Sequence, residues 1–180
     1  MEFCRRWGVA DDIRGAGWPP EHPMNIAYVT SLSGYRISGF EYPSYDDRPP
    51  WQHTPEGHQR CSQLFFDPVI QKRAESFQSV STRYRTLFRS FEQDDDGVTV
   101  TIEDRDGGKP ETIRAQYMVA CDGADSAVRE TLGIGLEGDA PLSFDINMFF
   151  ESQDVMRFHE KYQAMMYWLY GADGFWGQFI

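Results

Sequence analysis

The stretch from Tyr117 to Gly133, Tyr-Met-Val-Ala-Cys-Asp-Gly-Ala-Asp-Ser-Ala-Val-Arg-Glu-Thr-Leu-Gly, constrains this chain more than any other. Met118 to Cys121 has the composition of a buried strand, and the run stops at Asp122-Gly123. A short helical pattern follows, with Ser126, Val128 and Arg129 in its first turns and Gly133 as its stop. A strand that delivers Asp-Gly to the mouth of a helix suits a polar ligand. The glycine lets backbone approach, the helix start offers free N–H groups, and the carboxylate accepts from a hydroxyl. The plain alternative is a tight strand-to-helix turn with an ordinary N-cap.

The rest of the chain reads as α/β. Met1 to Arg14 predicts one or two short helices broken at Gly8, and Gly15 to Pro23 a loop. Asn25 to Ser31 and Tyr35 to Phe40 have strand composition around a Ser33-Gly34 turn. Glu41 to His58 is proline-rich and predicts a loop carrying Tyr42, Tyr45 and Trp51. Cys61 to Phe77 turns helical, with Leu64, Phe65, Val69 and Ile70 expected on one side and Asp67-Pro68 in the first turn. Strands are expected at Ser79 to Thr82, Thr86 to Gln93, Val98 to Glu103 and Ile113 to Cys121, with hairpin turns at Asp94-Asp95-Asp96-Gly97 and Asp106-Gly107-Gly108. Beyond Gly138 the pattern gives Phe144 to Glu151 as strand, Asp154 to Tyr162 as helix, and Met165 to Tyr170 and Gly174 to Ile180 as strands.

Charge and motif content exclude several function classes. The formal net charge of −11 opposes nucleic acid and anionic membrane as partners. No apolar run approaches the roughly 18 residues a membrane span needs, and Met1 to Trp7 lacks a signal-peptide core. Cys4, Cys61 and Cys121 are odd in number and far apart, which fits free thiols in a reducing cytoplasm. Cys121, at the end of a buried strand, is expected to pack inertly. His53 and His58 read as solvated loop residues, and the acidic turn at Asp94 to Asp96 as solvated too, so no metal site is expected.

Cys121-Asp-Gly-Ala-Asp-Ser-Ala-Val-Arg129 resembles the Asp-Gly motif of the FAD-dependent aromatic hydroxylases, the flavoprotein monooxygenases of the phenol hydroxylase and hydroxybenzoate hydroxylase type. A second resemblance lies in Arg60-Cys-Ser-Gln-Leu-Phe-Phe-Asp-Pro-Val-Ile70, similar to the start of the family's helix that carries a flavin-contacting glutamine. Val69 and Ile70 stand where leucines are usual. The resemblance implies cofactor-binding roles for Gln63, Asp122, Gly123, Ser126 and Arg129, with Arg60 a secondary candidate. A glutamine amide donates and accepts at once, as flavin and ribityl groups require. It further implies a partial FAD-binding domain over 1–23 and 59–138, with an inserted β-sheet substrate lobe over 24–58 and 139–180. The cofactor would be FAD, with NAD(P)H as co-substrate and a small aromatic substrate hydroxylated with O₂. Aromatic strands at Met165 to Tyr170 and Phe175 to Ile180 would line the substrate pocket or merely pack the sheet. No catalytic residue is named, and oligomeric state is not legible.

Two family landmarks are absent. The opening strand–Gly-x-Gly-x-x-Gly–helix unit (the first βαβ) does not occur, and neither does the later Gly-Asp-Ala-x-His-type segment. The literal Gly133-Ile-Gly-Leu-Glu-Gly138 follows a helix, not a strand, and is rejected as a dinucleotide fingerprint. Neither end tapers into polar residues, so a piece of a longer protein is expected, inactive alone and weak in holding FAD. The competing class is a non-enzymatic β-rich domain that keeps the framework and binds a protein or another ligand.

Overall fold

A computed structural model describes residues 1–139 and 143–180. The order of elements is α1 (Glu2–Arg6), α2 (Ala10–Ala16), β1 (Ile26–Val29), β2 (Arg36–Phe40), α3 (Gln63–Glu75), β3 (Thr86–Asp94), β4 (Gly97–Asp104), β5 (Glu111–Ala115), α4 (Ala127–Thr131), α5 (Met156–His159), β6 (Met166–Gly171) and β7 (Gly174–Phe179). They divide into two compact units, Met1–Val80 with Met148–Ile180, and Ser81–Asn147.

The first unit has two cores. In one, Cys4 of α1, and Ala10 and Ile13 of α2, pack with Val9 against Phe66, Val69 and Ile70 of α3. Gly8, at φ +75°, ends α1 in the left-handed region that glycine adopts without strain, and so turns α2 back beside it. On α3 the half-buried stripe is 66/69/70, an i, i+3, i+4 set. Leu64 and Phe65, expected on that side, are exposed instead because Leu64 falls about a half-turn and Phe65 about a quarter-turn off the stripe. Pro68 is the sixth helical residue, not part of the first turn, so its missing N–H leaves one carbonyl of the turn before it without the usual bond.

The other core belongs to a four-stranded sheet in the order β2-β1-β6-β7. β1 runs parallel to β6 and antiparallel to β2, and β6 runs antiparallel to β7. Alternation sends Ala27, Val29, Tyr167 and Leu169 to a buried face packed by Leu32, Ala164, Tyr162 and Phe179. The opposite face carries Tyr28, Phe40, Trp168 and Tyr170, set by the registers Ile26↔Phe40 and Tyr28↔Trp168. The β1–β2 turn closes as expected around Ser33-Gly34, with Thr30 N–H donating to the Tyr35 carbonyl at 3.0 Å.

The second unit is a three-stranded antiparallel sheet, β3-β4-β5. Its first hairpin turns at the acidic run: Asp96 N–H donates to Asp94 Oδ1 at 2.9 Å, and Gly97 takes φ +146° where any Cβ would collide with the Ala115 carbonyl oxygen. Guanidinium–carboxylate pairs lace the sheet and its flanking segments: Arg83–Glu111, Arg85–Asp106, Arg89–Glu103 and Arg114–Asp94. Asp94, Glu103 and Glu111 are each held below the usual carboxylate range, first by the hydrogen bond from the partner arginine.

Several expected strands do not form. Ser79 to Thr82 and Phe144 to Glu151 have no ladder, and Phe144 is 91% exposed. Most tellingly, the expected strand Ile113 to Cys121 ends at Ala115. Val98 pairs with Ala115 and β4 begins at Gly97, so β4 has no residues left to pair with 117–121. Tyr117 is 87% and Val119 83% exposed, and Cys121 is exposed as well. Met118 to Cys121 is therefore not a buried strand, and Cys121 is not an inertly packed thiol. The helix expected over Asp154 to Tyr162 shrinks to α5. Among the described residues, no helix is long and apolar enough to cross a membrane.

Candidate functional site

In the second unit, the corner at Asp122 is built from its own side chains. Ser126 is the N-cap of α4, and its Oγ accepts from Arg129 N–H at 3.0 Å. The same hydroxyl donates to Asp122 Oδ1 at 2.6 Å, and Val128 N–H reaches Asp122 Oδ2 at 3.4 Å. Two first-turn donors of α4 are thus satisfied by two side chains, one at the cap and one four residues before it. The Ser126 hydroxyl, followed by nearby backbone N–H groups, holds the Asp122 carboxyl below its usual range. Asp122 is therefore an ionised acceptor with two lone-pair sites engaged and others open. Gly123 sits at φ +82°, and a Cβ placed there would meet nothing within 4 Å. Arg129 donates from Nη1 to the Ala124 carbonyl and lies 3.6 Å from Glu130, while its buried Nε has no hydrogen-bond partner among the described residues.

In the first unit, Gln63 is the first residue of α3. Ser62 precedes it in extended backbone and makes no side-chain cap bond; its carbonyl accepts from Phe65 N–H at 2.9 Å, and the Gln63 and Leu64 N–H groups have no backbone partner among the described residues. Gln63 is exposed, and its amide makes no hydrogen bond among the described residues. Arg60 is fixed through its backbone: its N–H donates to Tyr45 Oη at 2.7 Å and its carbonyl accepts from Trp18 N–H at 2.8 Å. Its guanidinium has no ion pair among the described residues. Asp122, Gly123, Ser126 and Arg129 are thus joined in one bonded corner, and Arg60 and Gln63 share the approach to one helix. The two groups belong to different units.

Sequence reasoning missed the residues that brace these elements. Glu56, with its side chain only 9% exposed, pairs with Arg5 at 3.6 Å and with Arg14, tying the proline-rich loop to α1 and α2. Tyr28 went unnamed and Phe40 entered only as a strand end, although they extend the aromatic face of the sheet, with Tyr28 6.0 Å from Phe40, 5.8 Å from Trp168 and 5.9 Å from Tyr170. The alternation of Ile26, Tyr28 and of Ser38, Phe40 was the available signal.

The family described as FAD binding domain matches residues 1–177, and the chain belongs to it. Relatives are hydroxylases and monooxygenases by name. A putative polyketide hydroxylase of Streptomyces halstedii is 39% identical over 161 residues, covering 88% of this chain and 28% of that protein. The 2,4-dichlorophenol 6-monooxygenase of Cupriavidus pinatubonensis is 34% identical over 172 residues, covering 94% of this chain and 28% of its own length. Among solved structures, the rebeccamycin biosynthetic enzyme RebC with reduced flavin superposes with a TM-score of 0.76 at 32% identity, covering 94% of this chain and 32% of that one. The flavin-dependent monooxygenase PieE in complex with FAD and substrate gives 0.75 at 25% identity, covering 93% and 29%. The chain spans less than a third of the length of these proteins.

Proposed function

We propose that this chain supplies one flank of the FAD site, and one wall of the substrate pocket, in a monooxygenase that hydroxylates an aromatic ring with NAD(P)H and O₂. The carrying observation is the Asp122 corner. It presents an ionised carboxylate with open acceptor sites, a glycine with empty space beside it, and a buried guanidinium N–H lacking an acceptor among the described residues. That donor and acceptor set fits the hydroxyls and phosphates of a dinucleotide. Asp122 accepts from a ribityl hydroxyl, Ser126 holds the carboxylate in position, Gly123 leaves room for close approach, and Arg129 supplies positive charge. Gln63 at the head of α3 donates and accepts toward flavin or ribityl groups, with Arg60 as a second cationic donor. When bound, FAD supplies the redox chemistry; the protein orients it and excludes water.

We assign 1–23 and 59–138 to the flavin-binding part and 24–58 and 139–180 to the substrate lobe. The separate helical and sheet cores of the first unit support a boundary on either side of 24–58. The sheet buries one face and leaves Tyr28, Phe40, Trp168 and Tyr170 as a nearly continuous aromatic surface. Flat rings bind well to such a surface by offset stacking and edge contacts. Small aromatic compounds are accordingly the substrate class, in line with the dichlorophenol and polyketide activities named for relatives.

The test uses the full-length protein that contains this chain. It is expected to purify yellow, with the absorbance of bound flavin. Asp122→Ala lowers flavin content or slows NAD(P)H-dependent reduction, with at least a tenfold change for the loss of a charge-assisted bond of about 1.5–3 kcal/mol. A colourless folded protein refutes the function, and unchanged flavin content and reduction in Asp122→Ala remove Asp122 from the site.

A further inference from the structure

Away from the flavin corner, two histidines 137 positions apart meet in the first unit: His22, in the segment between α2 and β1, and His159, at the end of α5. Their Nε2 atoms are 2.7 Å apart. The rings are 17° from parallel, with centroids 4.9 Å apart, which is the nitrogen contact plus the two ring radii. The rings therefore lie edge to edge and nearly coplanar, each Nε2 aimed at the other, as an N–H···N hydrogen bond requires.

Donor and acceptor accounting then fixes the proton count. His22 Nδ1 is 2.8 Å from the Pro23 carbonyl, which only accepts, so Nδ1 carries a proton. Tyr167 Oη lies 2.5 Å from the Tyr162 carbonyl, so the hydroxyl donates there. The same oxygen is 2.7 Å from His159 Nδ1 and 3.3 Å from Ala164 N–H, so it accepts from both, and His159 Nδ1 also carries a proton. With both Nδ1 atoms protonated, two neutral rings would place two bare acceptors against each other. A single additional proton resolves the contact.

We propose that His22 and His159 share one Nε2 proton, forming a pH-dependent clasp that positions the β1–β6 strand pair carrying the aromatic face. The location supports that role. Three residues after His22, Asn25 donates through Nδ2 to the Gln163 carbonyl at 3.1 Å, and its own carbonyl accepts from Met165 N–H at 2.8 Å. These bonds start the parallel register Ile26↔Met166, and Tyr167 of β6 lies in the buried core. The clasp therefore joins the two segments that deliver β1 and β6 to each other. Trp18 packs edge-on against His22 at 5.0 Å.

The groups facing the pair are few. Tyr167 faces it from β6, with Tyr162 beyond. Arg36 of β2 stacks 3.9 Å over the Tyr162 ring, and Lys161 is spent on the carbonyls of Ser33 and Gly34. Among the described residues, no carboxylate forms an ion pair with either histidine. Burial, and then the charge of His22, hold His159 below the usual histidine range, which makes it the neutral acceptor. Because the folded value of His159 is lowered, the unfolded chain binds more protons below about pH 6.5, and this part of the stability is lost as pH falls. In the other direction, loss of the shared proton leaves two acceptors face to face, and the clasp is lost as pH rises. Stability therefore peaks between two macroscopic titrations that belong to the pair.

The experiment is imidazole ¹⁵N NMR together with thermal unfolding of the full-length protein, from about pH 5 to 8, the range in which histidine changes charge. Expected are one strongly deshielded proton coupled to the Nε2 atoms of His22 and His159, and a bell-shaped midpoint profile. His22→Ala removes the deshielded proton and the alkaline limb; the acid limb, which burial of His159 sets first, remains. His22→Gln keeps a donor toward His159 Nε2 but has no proton to lose, so the alkaline limb alone disappears. If His22→Ala fails to fold, His22→Gln decides. Independent, ordinary titration of the two histidines, or a His22→Gln profile identical to the parent, overturns the proposal.

Discussion

Replacing Ser126 with alanine tests the corner at its hinge. The Ser126 hydroxyl accepts from Arg129 N–H at 3.0 Å and donates to Asp122 at 2.6 Å, so one substitution cuts both bonds. Loss of an N-cap hydroxyl costs about 1 kcal/mol, which is roughly a fivefold rise in the opening equilibrium of α4. The local readout is amide hydrogen exchange at Arg129 in the full-length protein, which should speed up by about that factor. The second readout is the Asp122 titration. Its carboxyl is held low chiefly by the Ser126 hydroxyl, so Ser126→Ala moves the Asp122 pKa back up toward the ordinary value. The sign follows from linkage. A carboxylate with a depressed folded pKa contributes stability above its unfolded value, about 3.9, and loses that contribution as pH falls through the folded one. In Ser126→Ala the loss therefore begins at higher pH. A double-mutant cycle with Asp122→Ala should be non-additive, since the two residues share one bond. Unchanged exchange at Arg129 together with an unmoved Asp122 titration refutes the bonded corner.

Two further outcomes follow from the scaffold. Gly97→Ala strains a φ of +146° and drives a Cβ into the Ala115 carbonyl, so it should destabilise the β4–β5 end by about 1–3 kcal/mol, read as faster exchange at Val98 and Ala115. Parent-like exchange there refutes the turn geometry. Glu56→Gln should loosen the proline-rich loop by about 2 kcal/mol, discounted where the exposed arginines are solvated, and limited proteolysis should then cut within 41–58 sooner; an unchanged cleavage rate refutes the brace.

What the sequence reveals here is local chemistry. Gly8, the Asp-Gly turns and the Ser126 cap each act within a few residues, and each stands where reading the chain places it. The helix at Gln63 was legible because its apolar pattern is long. The losses came where pairing partners decide the outcome. Met118 to Cys121 has strand composition, but the register Val98↔Ala115 exhausts β4 at its hairpin, and composition carries no register. Leu64 and Phe65 were placed inside because apolar residues outnumber the positions one stripe of α3 can bury. Glu56 and the two clasp histidines reach their partners across 42 or more positions and leave no periodic trace.

The corner also separates two roles that the sequence alone merges. An Asp-Gly pair at a helix start reads equally as a cap and as a ligand site, and the bonding shows the cap while leaving acceptor sites for the proposed ligand. Ser126 and Val128 take one lone-pair site on each Asp122 oxygen, which fixes the carboxylate's direction without saturating it. Gly123 adopts φ +82° with open space beside it, so its own chain needs the glycine for backbone conformation, not for lack of room. A carboxylate whose orientation is set before any ligand arrives loses little freedom on binding, which favours affinity. Structural capping at this corner is therefore the preorganisation that a flavin-binding role requires.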